Sequence, residues 1–202
     1  MPRFTRFFIL CSLLCALCRP VISMAATWHL VFIRHAEKPS AGLGQLNCTG
    51  LQRALRLPEA LLKLSPPPQR LIVPDPGIYK MDHGHSYAYV RPLATLEPAA
   101  VRFALPLEAH LGYADVKGLV AQLQQLPDHS VVWIAWEHHY LIDTERELMH
   151  QWQQSIIIPD WPDQEYDRVD LIDVTQTPAG WQVVFHQAQE QLNHLPNVCP
   201  EE

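Results

Sequence analysis

Residues 28–39, WHLVFIRHAEKP, decide the fold of this chain. Trp28 to Ile33 form an apolar run that is too short for a helix and rich enough in Val and Ile to predict a buried strand. The strand ends at Arg34, and a histidine follows directly. Val131 to Trp136 form a second run of the same kind, and residues 137–139 that follow it read EHH.

Strands and helices alternate along the rest of the chain, which is typical of an α/β protein with a mostly parallel sheet. Further strands are predicted at 70–73, 168–174 and 181–186, and helices at 50–64, 92–103, 116–126 and 141–152. The last two strands flank a turn and predict one antiparallel hairpin. Ligands bind beyond the carboxyl ends of the strands in such sheets, so the polar residues after the two apolar runs are the first candidates for chemistry.

The sequence carries signals for both ends and for the buried face of the first predicted helix. Thr49 is a candidate N-cap, and the apolar stripe consists of Leu51, Ala54, Leu55, Leu61 and Leu62. Residues 65–68, SPPP, end the helix. The loop from Pro74 to Tyr89 follows the next strand, and loops of that length are uncommon without a function.

Residues 1–25 have the layout of a secretory signal peptide. Arg3 and Arg6 precede an apolar run from Phe7 to Leu17, and the small residues Ser23 and Ala25 follow. The run is about half of the roughly 20 apolar residues that a membrane span needs, which favours a cleaved signal over an anchor. We therefore expect a periplasmic or secreted protein with no stable membrane anchor, in which residues 26–202 form one domain.

The composition is that of one acidic globular domain. The 202 residues are 48% hydrophobic and 18% charged, which argues against disorder or a repeat array. The formal charge is −6, and loss of residues 1–25 would remove three arginines and no acid, leaving −9. Such a chain has no general attraction for nucleic acid or an anionic membrane. Only Cys48 and Cys199 would remain, either as a disulfide in an oxidising compartment or as two unpaired thiols.

Four segments, in chain order, match the pattern of a known family. They are 34–39 (RHAEKP), 46–54 (LNCTGLQRA), 91–99 (RPLATLEPA) and 131–138 (VVWIAWEH). Together they resemble the histidine phosphatase superfamily, also called the phosphoglycerate mutase-like family. The resemblance implies a three-layer phosphoglycerate mutase-like sandwich, with a mostly parallel central sheet and helices on both faces. This chain departs from the family pattern at Ala36, where glycine is usual, and at Glu137, where serine or glycine is frequent.

The resemblance implies a metal-independent phosphomonoester hydrolase of the histidine acid phosphatase type, with no cofactor and a small phosphorylated substrate. His35 would attack phosphorus and form a phosphohistidine, because a neutral imidazole is a competent nucleophile near pH 7. Arg34 and Arg91 would hold the phosphate through bidentate guanidinium donors. His138, if protonated, would add a further donor. His139 is expected at the pocket rim or in a structural role.

Other residues have less defined expected roles. Lys38 is a candidate for substrate binding, although an exposed loop lysine is also common. Glu108 and Asp115 are candidate proton donors for the leaving alcohol. Glu108 could instead be solvated surface, and Asp115 could be the N-cap of the helix that begins near Val116. The segment 160–170, with its two aromatic residues, and the long loop before Tyr89 are expected to shape the pocket entrance.

Three alternatives remain open at the level of sequence. A metal site could form in the long loop from Asp75, Asp82, His83 and His85, since these residues offer nitrogen and oxygen ligands. The chain could be a non-catalytic phospho-ligand binding or interaction module of the cell envelope, since a fold does not prove turnover. The presence of all four residues that the resemblance places at the phosphate, Arg34, His35, Arg91 and His138, favours an enzyme over a non-catalytic module. A mutase is the third alternative, and no feature of the sequence specifies one.

Overall fold

The computed structural model describes residues 26–200, so the predicted signal segment lies outside the described residues. The strands are β1 (Ala26–Arg34), β2 (Arg70–Pro74), β3 (Tyr79–Asp82), β4 (His85–Ala88), β5 (Leu107–Leu111), β6 (Val131–Trp136), β7 (Arg168–Thr177) and β8 (Gly180–Gln189). The helices are α1 (Cys48–Leu61), α2 (Arg91–Phe103), α3 (Val116–Gln124) and α4 (His138–Gln151). Within these residues, no helix combines the length and the apolar character needed to cross a membrane.

Six strands form one central sheet in the order β5-β2-β6-β1-β7-β8. The first four strands in this order are mutually parallel. β7 is antiparallel to β1, and β8 is antiparallel to β7. The predicted mostly parallel sheet with an antiparallel hairpin at its end is therefore confirmed.

Helices cover both faces of the sheet, which confirms the predicted three-layer sandwich. On one face, Leu57 and Leu61 of α1 and Leu96 of α2 pack on the sheet in one hydrophobic cluster. On the other face, side chains of α3 and α4 pack in a second cluster, with Leu119 and Leu148 at 0% exposure. β6 is buried at every position because both layers cover it. This double burial explains the continuous apolar run in its sequence.

The start of α1 differs from the sequence prediction. Asn47, and not Thr49, is the N-cap, because its side-chain oxygen accepts the N–H of Gly50 at 2.8 Å. Thr49 lies inside the first turn. The predicted stripe is also partly wrong, since Leu51 and Leu55 are 39% and 51% exposed.

The loop predicted from Pro74 to Tyr89 contains a separate two-stranded sheet made by β3 and β4. His83 and Gly84 form its turn with φ values of 48° and 80°. β5 is a third strand that the sequence pattern did not predict. α4 begins three residues earlier than predicted, because the Glu137 carboxylate accepts the N–H groups of His139 and Tyr140 and so caps the helix.

A disulfide bond joins Cys48 at the start of α1 to Cys199 near the end of the described chain. Two hydrogen bonds hold the same tail on α1, from Thr49 to Asn197 and from Gln52 to the carbonyl of Val198. The C-terminal tail is thus fixed beside the N-terminus of the helix that follows the Arg34-His35 loop.

Candidate active site

β1 and β6 end side by side and bring their polar residues to one edge of the sheet. Arg34 pairs with Trp136 in the register of these parallel strands. The N–H of His35 donates to the Trp136 carbonyl at 3.0 Å. Glu137 and His138 therefore leave β6 next to His35. This is the carboxyl edge of the sheet, where α/β proteins bind ligands.

The imidazole of His35 is buried and held in one tautomer. Its Nδ1–H donates to the Ala36 carbonyl at 2.8 Å, which leaves the lone pair on Nε2. Burial, followed by the charges of Arg91 and Arg34, holds the pKa of His35 well below its ordinary value. The ring is therefore neutral at pH 7, which is the state that a nucleophile needs.

Two buried arginines lie beside this imidazole. Arg34 is 4% exposed and lies over the ring of Tyr166, with its Cζ 4.0 Å from the ring centroid. Arg91 is the first residue of α2 and is 1% exposed. Its Nη1 donates to Asp82 Oδ2 at 2.8 Å. In each arginine, at least one terminal guanidinium nitrogen donates a hydrogen bond within the protein. These contacts hold both positive charges at the carboxyl edge of the sheet.

The second predicted histidine, His138, is the first residue of α4 and is 4% exposed. Its Nε2 lies 2.8 Å from Oδ1 of Asp163. Its Nδ1 lies 3.6 Å from Oε1 of Glu137 and makes no hydrogen bond. Burial and the charge of Arg34 lower the pKa of His138, against the hydrogen bond to Asp163, which raises it.

Three buried nitrogen atoms of these groups have no hydrogen-bond partner within residues 26–200. They are Nε of Arg34, Nε of Arg91 and Nδ1 of His138. The charges of all three groups also lower the pKa of His35, so each lies within electrostatic range of the same imidazole. Buried polar groups in native proteins nearly always have a partner. The arrangement therefore indicates a site for an anion with several acceptor oxygens.

A lysine that sequence reasoning missed adds to this positive field. Lys80 lies on β3, and its Nζ is 3.4 Å from Oε1 of Glu137. Burial lowers the pKa of Lys80. Burial also opposes ionisation of Glu137, but the charges of Lys80 and His138 outweigh it and lower the pKa of that carboxyl. The two residues form a partly buried ion pair beside His138.

Three tyrosines surround the Lys80 ammonium. Its Nζ lies 4.6 Å from the ring centroid of Tyr113, 5.3 Å from that of Tyr89 and 5.8 Å from that of Tyr140. These distances suit cation–π attraction. Polar and apolar residues alternate in the sequence of β3. The position of Lys80 beside α4, however, depends on how the β3–β4 hairpin packs, which the sequence pattern does not indicate.

Lys38, the predicted substrate-binding lysine, is part of the same charged region. Its Nζ lies 3.2 Å from Oδ1 of Asp82. Burial opposes ionisation of Asp82, yet the hydrogen bonds from Lys38 and Arg91 lower its pKa. Asp82 is therefore a carboxylate that bridges the two cations. This role removes it from the metal site considered for the long loop.

A buried ionic cluster supports the loop after His35. Arg53 of α1 is 1% exposed and forms a bidentate pair with Glu37 at 2.8–3.1 Å. The same guanidinium contacts Asp167 at 3.0 Å and Glu190 at 2.5 Å. Burial raises the pKa of Glu190 to about 8. The sequence shows Arg53 only as the arginine of the family-like Arg-Ala helix, without these partners.

The two predicted proton donors do not lie at the site. Glu108 lies in β5, where its carboxylate accepts two hydrogen bonds from Arg70 at 2.5 and 2.6 Å. Glu108 is level with Ile134 of β6, two residues before the end of that strand, and Arg70 is level with Val132, four residues before it. The backbones of this pair therefore lie about 7 and 13 Å below the carboxyl edge. Asp115 caps α3 by accepting the N–H of Gly118 at 2.9 Å, the alternative role expected for it.

The other residues considered for a metal site in the long loop either bind the backbone or are exposed to solvent. The Asp75 carboxylate accepts the N–H of Gly77 at 2.7 Å. His83 and His85 are exposed on the β3–β4 turn and the start of β4. These residues do not form a common set of metal ligands, so the structure does not support a metal site in this loop.

A different group in the described part of the chain does have the spacing of metal ligands. One ligand atom each from Glu137, His138 and His139 lie within 4.8 Å of one another. The Lys80 ammonium already contacts the Glu137 carboxylate. Nε2 of His138 already lies 2.8 Å from Oδ1 of Asp163. Two of the three candidate ligands are therefore engaged by other groups of the protein. His139 itself is a rim residue, with its side chain 63% exposed.

No family model and no curated protein matches this chain. Among solved structures, the chain is similar to one described as the phosphohistidine phosphatase SixA from Nakamurella multipartitia. The identity is 14%, the TM-score is 0.48, and the match covers 80% of this chain and 96% of that one. It is also similar to a variant of phosphoserine phosphatase from Entamoeba histolytica in complex with phosphoserine. Here the identity is 12%, the TM-score is 0.42, and the coverage is 84% and 100%.

Proposed function

We propose that this protein is a phosphatase that hydrolyses a phosphomonoester through a phosphohistidine intermediate on His35. One observation carries the proposal. A buried, neutral imidazole with its lone pair on Nε2 lies near two arginines and a second histidine, and each of these three side chains has a buried nitrogen without a partner among the described residues. A phosphoryl group carries several charged acceptor oxygens and suits such a set of donors.

In the first step, Nε2 of His35 attacks phosphorus, and the bond from phosphorus to the ester oxygen breaks. The phosphoryl group moves to His35, and the departing alcohol oxygen takes a proton from solvent water. In the second step, a water oxygen attacks phosphorus and the bond from phosphorus to Nε2 breaks, which returns free His35 and inorganic phosphate and releases the proton of the water to solvent. The hydrogen bond from Nδ1–H to Ala36 persists through both steps and keeps the ring oriented.

The cations supply most of the stabilisation in this chemistry. The transition state of phosphoryl transfer carries its charge on the oxygens, so positioned donors lower the barrier more than covalent assistance does. Arg34 and Arg91 hold a fixed charge and present the Nε donor that is unpartnered in the described structure. Protonated His138 would donate from Nδ1 to the same oxygens.

The positive charge of this site contrasts with the negative net charge of the protein. The chain has six more acidic than basic formal charges, and residues 26–202 alone have nine more. Arg34, Arg91 and Lys80 are gathered at one edge of the sheet against this background. A local positive field on an acidic protein attracts a small anion without attracting polyanions in general.

We further propose that residues 1–25 direct export and are removed. The arginines, apolar run and small residues of this segment support the proposal. The disulfide between Cys48 and Cys199 agrees with an oxidising compartment. Amino-terminal sequencing of the protein recovered from the extracytoplasmic fraction is the test, and an intact Met1 on that protein would contradict cleavage.

The activity is tested by screening the purified protein against a panel of phosphomonoesters in the presence and absence of a chelator. We expect hydrolysis that the chelator leaves unchanged and that His35→Ala abolishes. His139→Ala is the matched control, since this neighbouring histidine is exposed, and it should retain activity. A protein that binds phosphate but turns over no substrate would support the alternative of a non-catalytic binding module.

A further inference from the structure

We propose that Asp163 is a positioning residue that orients His138 and favours the protonated ring as a donor to the phosphoryl oxygens. This inference rests on the proposed function and deepens it. Asp163 lies in the segment between α4 and β7, and neither composition nor motif spacing assigns it a role.

The two nitrogens of His138 face different surroundings. Nε2 lies 2.8 Å from Oδ1 of Asp163, a normal length for a hydrogen bond to a carboxylate. Nδ1 is buried and unpartnered in the described residues, as are the Nε atoms of the two site arginines. The Asp163 carboxylate accepts a hydrogen bond from Nε2–H. Nδ1 lies 3.6 Å from Oε1 of Glu137 without a hydrogen bond, so it is the nitrogen left for the anion. For Nδ1 to donate, the ring must carry both protons.

Asp163 supplies the negative charge that a doubly protonated ring requires. Burial and the Arg34 guanidinium both oppose protonation of His138. The hydrogen bond to Asp163 raises the pKa of His138, and the charge of Glu137 does the same. The hydrogen bond from His138 in turn lowers the pKa of Asp163, which stays ionised. The neutral imidazole of His35 and the ring of His139, whose centroid lies 4.0 Å from that of His138, are the further titratable groups near this ring.

The backbone of Asp163 contacts the second anion-binding group. Its carbonyl oxygen accepts a hydrogen bond from Nη1 of Arg34 at 2.5 Å. Nη2 of Arg34 donates to the hydroxyl of Tyr166 at 3.3 Å. One short segment therefore fixes a guanidinium from the end of β1 and an imidazole from the start of α4. These are two of the three groups with an unpartnered nitrogen at the proposed phosphate site.

The segment that carries Asp163 is itself anchored. The indole of Trp161 is 3% exposed, and its N–H donates to the Glu165 carbonyl at 2.9 Å, which closes a turn around Asp163. Arg168 donates to the carbonyl of Asp160 at 2.8 Å. The Asp163 side chain is 71% exposed, yet its backbone is held on both sides. This anchored backbone holds the carboxylate within hydrogen-bond distance of His138.

The test compares the pH profiles of kcat/KM for the wild-type protein, Asp163→Ala and Asp163→Asn. Asp163→Ala removes both the acceptor and the charge, so we expect kcat/KM to fall about tenfold and its alkaline limb to move to lower pH. Asp163→Asn keeps an acceptor for Nε2–H without the charge. It should recover part of the rate at low pH but show the same displaced alkaline limb.

Asp160→Asn is the matched control, since Asp160 lies in the same segment, is 89% exposed in its side chain and pairs with Arg146 away from His138. It should leave the profile unchanged. NMR titration of the His138 ring gives a readout that does not depend on turnover, and we expect a lower pKa in Asp163→Ala. An unchanged ring pKa together with an unchanged profile would overturn the inference while leaving the phosphatase intact. Absence of turnover in the wild-type protein would instead contradict the proposed function.

Discussion

Nδ1 of His35 donates a hydrogen bond to the carbonyl oxygen of Ala36 at 2.8 Å, and this contact determines which nitrogen of the ring is free. The acceptor belongs to the next residue of the chain, so the geometry is set locally by the turn that follows β1. Because Ala36 is fully buried and its N–H donates to Thr95 at 2.9 Å, the turn is fixed against α2. The imidazole proposed as the nucleophile is therefore oriented in the absence of substrate.

We predict that kcat/KM is highest at acidic pH. His35 must be neutral to attack, and burial with the two arginine charges holds its pKa well below the ordinary value of 6.5. His138 must be protonated to donate, and burial lowers its pKa as well. Activity should therefore rise through the His35 pKa and fall as pH increases through the His138 pKa, with both limbs below pH 6.5. A profile that rises through pH 8 would contradict these protonation states.

Replacing either site arginine with lysine should be costly, although the charge is kept. Lysine presents no Nε donor and no planar fork, so Arg34→Lys and Arg91→Lys should each lower kcat/KM by about 100-fold. Arg102→Lys is the control, because Arg102 is an exposed arginine of α2 that pairs with Glu59 at 3.3 Å. Steady-state kinetics on one monoester compare the three. Equal rates for all would show that a simple positive charge is sufficient.

Glu190 should make the stability of the fold depend on pH. Its pKa is raised to about 8 by burial, from an ordinary value of 4.5, so the folded state keeps a proton that the unfolded state loses. Between those pH values, the free energy of unfolding should fall as pH rises, with a slope of up to about 1.4 kcal/mol per pH unit from this group. Urea unfolding of Glu190→Gln from pH 5 to pH 8 should show a smaller slope. An identical slope in both proteins would rule Glu190 out as the source.

Reduction of the disulfide should destabilise the protein. The bond joins residues 151 positions apart, and a loop of that length implies a stabilisation of up to about 5 kcal/mol from chain entropy. We expect a lower Tm in the presence of reductant and in Cys48→Ser, and no further effect of reductant on the variant. If reductant leaves the Tm of the wild-type protein unchanged, the bridge does not stabilise the fold.

The strands that carry the site were predictable because their burial leaves a simple sequence signal. β1 and β6 are covered on both faces, so each appears as a short apolar run followed directly by polar residues. The start of α2 was predicted to within one residue, since Pro92 marks a first helical turn. These elements carry Arg34, His35, Arg91 and His138. The strand and helix patterns predict the elements, and the family resemblance predicts that the four side chains lie close together.

Other site residues depend on tertiary contacts that have no local pattern. β3 and β4 pair only with each other, and their polar composition resembles a loop, so Lys80 was not recognised. Asp163 lies in an irregular segment with no periodicity, and only the fold brings it to His138. The position of Glu108 after α2 in the chain suggests a proton donor. The structure instead pairs it with Arg70 at the far end of the parallel strands.

The most direct measurement is detection of the covalent intermediate. The protein is mixed with a phosphomonoester, quenched in alkali within milliseconds to preserve phosphohistidine, and digested for mass spectrometry. The account predicts a phosphoryl group on the peptide that contains His35, absent in His35→Ala and still present in His139→Ala. Substrate turnover without any phosphorylated His35 peptide, or a phosphoryl group on a different residue, would contradict it.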